Sequence, residues 1–193
     1  ALPPQAASVG PLALADVDGD GELELFVGGR SIPGRYPEPA DSAIYLQRAD
    51  GWHLDTQNAK ALEKVGLVSG AVFSDLNGDG FPDLILACEW GCVRVFLNRA
   101  GVLTDTTAAL GLDRHVGWWN GVNTGDFDGD GRLDIIASNW GQNTKYQPQR
   151  HHPLSLFYGD FNGLGGVDLL EAYYAEELGK TVPWQHLGRV APA

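Results

Sequence analysis

The sequence predicts an all-β chain built of β-propeller blades, each a four-stranded antiparallel sheet whose first hairpin carries a calcium-binding loop. Three observations lead there. First, an acidic, glycine-rich stretch occurs four times, beginning at Asp16 (DVDGDGELELFVGG), Asp75 (DLNGDGFPDLILAC), Asp126 (DFDGDGRLDIIASN) and Asp160 (DFNGLGGVDLLEAY). All four obey D-x-[DN]-G-x-G-x-x-[DE] and run on into apolar residues. Second, the flanks repeat too: YLQRADGWHLDT matches FLNRAGVLTDT, and GLVSGAVFSDL matches GWWNGVNTGDF, so the period belongs to a structural unit rather than to an isolated loop. Third, each unit strings short apolar or alternating runs between glycine-containing turns, with aromatics recurring at fixed offsets, as propeller blades do.

The elements follow in order. A short run (LALAD, AVFSD, GVNTGD, LFYGD) leads into each acidic loop, and a second run rich in Leu, Ile, Val and aromatics leaves it. Two further runs complete the first two units, SAIYLQ with WHLDT and CVRVFLN with VLTDT. Only NAKALEKVG has the makings of a helical turn. Successive loops begin 59, 51 and 34 residues apart, so the third unit is abbreviated, with room for DIIASNW and PLSLFYG and a polar connection between them. A single repeat domain over residues 1–193, three to four blades of a partial propeller, is the expected organisation.

The loop pattern is that of a hard-cation cage. Calcium takes six to eight oxygens at about 2.3 to 2.6 Å, from carboxylates, amides, backbone carbonyls and water. Loop positions 1, 3 and 5 supply short acids or amides: Asp16, Asp18 and Asp20; Asp75, Asn77 and Asp79; Asp126, Asp128 and Asp130; Asp160 and Asn162. Position 7 offers only its backbone carbonyl, so its identity drifts through Glu22, Phe81, Arg132 and Gly166, while position 9 restores a carboxylate with Glu24, Asp83, Asp134 and Asp168. Glycines at positions 4 and 6 permit the left-handed backbone that wraps the chain around an ion. Position 12 is Val27, Leu86 and Ala137 in the first three loops, which excludes the EF-hand and dockerin loops that need an acid there. A metal-free Asp-Gly hairpin explains one copy as well as an ion does; three near-perfect copies favour the ion. Leu164 takes position 5 of the fourth loop, so about three calcium ions are expected, with the fourth loop a further candidate.

Composition is consistent with this. The formal charge of -12 and 13 scattered basic residues argue against a nucleic-acid partner. About half of the 25 acidic residues stand at ligand positions, so three divalent ions would halve the net charge. No apolar run is long enough to span a membrane. The chain contains no Met, so it is expected to be a processed product, a trimmed form or a piece of something longer. Cys88 and Cys92 flank Glu-Trp-Gly; across a hairpin they could form a disulfide, and free thiols fit equally well.

Other conspicuous residues are candidates for ligand binding or for packing. Trp90 and Trp140 recur at one offset and read as packing between blades, whereas one of Trp118 and Trp119 is a candidate platform for a sugar ring. Arg30 and Arg35, in GGRSIPGRYPEP, are candidates to bind a carboxylate or sugar at a blade rim. His115, His151, His152 and His186 read as solvated loop residues. No nucleophile motif, phosphate loop or dinucleotide fingerprint is present, and the chain is expected not to be an enzyme.

The repeats resemble FG-GAP/VCBS repeats, the calcium-loop blades of integrin α-subunit propellers and many secreted bacterial proteins. FVGGRSIPGRYP, ACEWGCVRVFLN, GWWNGVNTGDFDGDGRLDIIASNWG and PLSLFYGDFNGLGGVDLLEAYY are similar to bacterial VCBS-repeat proteins that often carry an ASPIC/UnbV domain and are related to cartilage acidic protein. The resemblance implies a calcium-stabilised propeller, usually seven-bladed, that is extracellular, on the cell surface or periplasmic and serves adhesion or ligand binding. A seven-bladed ring needs about twice this length, so open edges completed by further blades or further copies are expected. The expected partners are a protein or carbohydrate outside the cell. A structural subunit of a surface assembly is the first alternative, and a polysaccharide-active propeller the second.

Overall fold

A computed structural model describes residues 2–141 and 151–184. His186 and most of the polar connection after Trp140 lie outside the described residues. The chain is all-β and antiparallel. The first unit is a four-stranded meander of β1 (Ser8–Ala15), β2 (Glu24–Ser31), β3 (Ala43–Arg48) and β4 (Gly51–Leu54). One helical turn, α1 (Ala59–Leu62), leads to the second meander, β5 (Leu67–Ser74), β6 (Asp83–Gly91), β7 (Arg94–Arg99) and β8 (Val102–Asp105). The third unit pairs β9 (Gly117–Gly125) with β10 (Asp134–Asn139), and the fourth is the three-stranded sheet β11 (Ser155–Gly159), β12 (Asp168–Ala175) and β13 (Lys180–Pro183). The four-strand expectation holds for the first two units, and the shortened interval gives the third only two strands among the described residues.

Two cores hold the units together. Phe26, Ile44, Leu62, Val68, Leu84, Leu86, Cys88 and Phe96 form one, between the first and second sheets. Ile85, Val93 and Val95, with Val72, Trp119, Val122, Ile135 and Ala137, form the other, between the second and third. Strand β6 feeds both, Leu84 and Leu86 into one and Ile85 into the other. Its first seven residues are all buried, which is why DLILACE shows no polar alternation where a one-sided strand would. Past the point where β7 leaves β6, β9 takes its place, with Glu89 opposite Trp118 and Gly91 opposite Gly117.

First strands of successive units approach through bare backbone. A Cβ on Gly10 would meet the Val68 carbonyl oxygen at 2.8 Å, and one on Gly70 would meet Gly121 Cα at 2.8 Å. The run of units is open: among the described residues no strand pairs the fourth sheet with the first, and Leu12 and Leu14 of β1 remain more than half exposed. Among the described residues no helix is long and apolar enough to cross a membrane.

The Gly70 contact gives a direct test of this geometry. Backbone atoms on both sides cannot swing away, so Gly70→Ala is expected to lower unfolding stability by about 2 kcal/mol, within the range of overpacked cores, in denaturant titration. A neutral substitution would mean that β5 and β9 are not packed this way.

Candidate metal centre

All four acidic loops join the first two strands of a unit in one register. The last residue of the first strand pairs with loop position 9: Ala15 with Glu24, Ser74 with Asp83, Gly125 with Asp134 and Gly159 with Asp168. The ninth-position carboxylate therefore stands on the first residue of a strand, fixed by the sheet.

Within the loops one hydrogen-bond scheme recurs, and it shapes the cage before any ion arrives. The first-position carboxylate brackets the glycine amides: Asp16 accepts from Gly19 (2.7 Å) and Gly21 (3.0 Å), Asp75 from Gly78 (2.8 Å) and Gly80 (2.9 Å), and Asp126 from Gly129 (2.7 Å) and Gly131 (3.0 Å). The glycines at positions 4 and 6 all have φ between 73° and 90°, a region other residues rarely enter. Asp18, Asn77, Asp128 and Asn162 at position 3 accept from the amide two residues on. The ninth-position carboxylate accepts from the amide of position 2: Glu24 from Val17 (2.7 Å), Asp83 from Leu76 (2.9 Å), Asp134 from Phe127 (3.0 Å) and Asp168 from Phe161 (3.0 Å).

Carboxylates converge in two of the loops. Asp16, Asp18 and Glu24 each bring an oxygen within 4.8 Å of the others, and so do Asp126, Asp128 and Asp134. Glu24 is fully buried, and its Oε1 has no hydrogen-bond partner. Burial pushes its carboxyl pKa up against the Val17 hydrogen bond, and Asp18, Asp20 and Asp16 push it further. A buried anion left with an unmet lone pair beside other anions is costly, and a hard cation satisfies every term of that imbalance. The donors are all oxygen, which suits calcium better than a soft metal.

The other loops differ in instructive ways. In the second, Asn77 replaces an acid and its amide donates to Asp79 (3.1 Å). Burial raises Asp83 as it does Glu24, against hydrogen bonds from Asn98 and Leu76. In the third, Arg132 reaches Asp130 with its side chain. In the fourth, the Asn162 amide donates to Asp168 Oδ1 at 2.9 Å and exposed Leu164 replaces the fifth-position acid, so the loop carries fewer carboxylates and one of them is held by the loop's own amide. Position-7 residues Glu22, Phe81 and Arg132 donate their amides to Asp20, Asp79 and Asp130.

The remaining singled-out residues gather at the opposite ends of the strands. Trp118 lies between Trp90, at 5.1 Å, and Trp140, stacked at 4.1 Å. Trp119 packs into the second core and donates to the His115 carbonyl. Arg30 crosses from the first unit to pair with buried Glu89, which also accepts from the Tyr36 hydroxyl, while Trp90 Nε1 donates to Tyr36 at 2.6 Å. Arg35 pairs locally with Glu38. His151 is exposed, and His152 stacks on Tyr174 at 3.7 Å. Beside the Glu89 network lies a cleft of about 660 Å³ lined by Pro37, Leu67, Trp90, Arg94 and Tyr158.

Sequence reasoning did not single out Glu89, Tyr36 or Asn98. Glu89 adjoins the noticed Trp90, but its partners are 53 and 59 residues away. Asn98 closes the run CVRVFLN and is followed by Arg99, so no local signal in the sequence marks it as buried.

Cys88 and Cys92 are free thiols. The pairing of β6 with β7 stops at Leu86 and Arg94, and Trp90 adopts φ +56° between the cysteines, so the hairpin does not continue to bring them face to face. Burial pushes the Cys88 thiol up to about 12 and raises Cys92 as well. Only the thiolate reacts, and both groups stay protonated at pH 8. A thiol reagent at pH 8 is therefore expected to modify Cys92 slowly, faster as pH rises, and Cys88 only after unfolding. Rapid titration of two thiols in the folded protein would contradict this burial.

Comparison with known proteins agrees with the repeat geometry. The FG-GAP-like repeat matches at residues 16–86 and again at 75–137, together well over half of the chain. No individual curated protein matches it. The two matched segments each begin at the first aspartate of an acidic loop and end inside the strand that follows the next loop, so both take in the acidic loops and the strands around them, and the chain belongs to the FG-GAP-like repeat family.

Proposed function

We propose that this chain is a calcium-stabilised binding module that works outside the cell, with cations in the first three loops and its ligand taken at the opposite ends of the blades. The observation that carries the reading is Glu24, fully buried with Oε1 unpartnered among Asp16 and Asp18. Asp16, Asp18, Asp20 and Glu24 would hold the first ion, Asp75, Asn77, Asp79 and Asp83 the second, and Asp126, Asp128, Asp130 and Asp134 the third. Bound calcium supplies a charge that neutralises the loops and fixes their backbone; it supplies no catalytic step, and the chain is read as a binder rather than an enzyme. Extracellular modules hold calcium at Kd values of about 0.1 to 1 mM, which matches calcium outside cells.

The ligand end is supported by the 660 Å³ cleft and by the Glu89, Trp90 and Arg94 side chains that line it, with Tyr36 bonded to Glu89 and Trp90 behind them. A protein or carbohydrate is the class that such a mixed aromatic and charged surface serves. The exposed Leu12 and Leu14 on β1 favour a second reading, a subunit whose open face is completed by neighbouring copies or blades. Light scattering in calcium separates the two: a monomer at all concentrations removes the assembly.

The primary test is calorimetric titration of chelator-stripped protein with calcium, alongside thermal unfolding with and without the ion. About three sites are expected. At a hundredfold excess over Kd, each would add about 2.7 kcal/mol of stability. Glu24→Gln should raise the melting temperature of chelated protein, by removing a buried anion from an anionic cluster, while it weakens calcium binding at the first loop. No calcium binding, or the same loss of stability from Glu24→Gln with and without calcium, would overturn the cage.

A further inference from the structure

Asn98 connects the first two loops. It sits on β7 with no solvent exposure, and its backbone N–H and both ends of its side-chain amide are engaged. Its backbone N–H donates to Asp83 Oδ1 at 2.8 Å. Its side-chain Nδ2 donates to the carbonyls of Val17 at 2.8 Å and Pro82 at 3.0 Å, and its Oδ1 accepts from Gly101 N at 3.0 Å. Two carbonyls on one side and an amide on the other fix the orientation of the side-chain amide.

These bonds join the two ninth-position carboxylates in one path. Asp83 accepts from the Asn98 amide, Asn98 holds the Val17 carbonyl, and the Val17 amide donates to Glu24 Oε2. The turn after Asn98 closes against the first loop: a Cβ on Gly101 (φ +89°) would meet Asp18 Cβ at 3.0 Å. The same turn is tied back to the first unit, since the Gly101 carbonyl accepts from Asn58 Nδ2 at 2.8 Å and Gln57 Nε2 at 3.1 Å.

No counterpart serves the other loops among the described residues. Gln47 takes the place of Asn98 in the aligned first unit and is exposed. Asp134 of the third loop accepts from Phe127, and no described neighbouring strand reaches it as Asn98 reaches Asp83.

We infer that Asn98 is a positioning residue that couples the first two loops, so that cation binding at one strengthens binding at the other, while the third loop binds independently. This rests on the calcium reading above. An ion at the second loop immobilises Asp83, which fixes Asn98, and through it the Val17 carbonyl and the Glu24 carboxylate. The first loop then has less freedom to lose when its own ion arrives, and the effect is reciprocal by linkage.

The test disables one loop at a time in the full chain and reads calcium dependence at the first loop from hydrogen-exchange protection of residues 16–24. With Asn98 intact, Asp75→Asn is expected to weaken calcium at the first loop by about fivefold or more, the lower end of typical coupling. Asp126→Asn is expected to leave it within about twofold. In Asn98→Ala, adding Asp75→Asn should no longer change the first loop. The intact-Asn98 arm stands by itself if Asn98→Ala does not fold. Equal effects of Asp75→Asn and Asp126→Asn, no effect of Asp75→Asn, or coupling that survives in folded Asn98→Ala would each overturn the coupling. Absence of calcium binding at every loop would instead overturn the calcium reading beneath it.

Discussion

A carboxylate on the first residue of a buried strand is the constraint from which the rest of the molecule follows. Glu24 and Asp83 are fully buried at the start of β2 and β6, where a neutral residue would cost less. Each is held by the amide of loop position 2, so strand register, loop shape and charge are one problem. Shifting the register by one residue would turn the acid to the other face of the sheet and leave the loop without its ninth group. The glycine backbone, the bracketing first-position aspartate and the pairing of Ala15 with Glu24 all serve the same placement.

The strands then settle how much of each unit is covered. The second sheet lies between two neighbours and is apolar on both faces, whereas β1 keeps an open face with Leu12 and Leu14 on it. Propeller units acquire their solvent-excluded faces from each other. Among the described residues the third unit has two strands, and the end of β6 pairs with the first of them.

Much of this was legible in the sequence because the signals are local. The loops, their glycines and their flanking strands are written within nine to fourteen residues, and the four copies confirm one another. The one-residue shortfall of ligands in the fourth loop, Leu164, was equally plain, and the structure turns Asn162 toward Asp168. What was not legible depends on contacts across distant stretches. Arg30 meets Glu89 across 59 residues, and Asn98 meets Val17 across 81; no periodicity encodes either. Trp118 and Trp119 could not be told apart from sequence, because a bulge between Ser138 and Asn139 and the short pairing of β9 with β6 decide which indole faces the core.

The tryptophan row has an optical consequence. Trp90, Trp118 and Trp140 come from β6, from β9 and from the residue that follows β10, with neighbouring ring centres 5.1 Å and 4.1 Å apart. Indoles that close share their electronic transitions, so the near-ultraviolet circular dichroism of the chain contains a signal owned by no single residue. That signal reports whether two blades are docked, and it does so without a label, at the end of the molecule remote from the acidic loops.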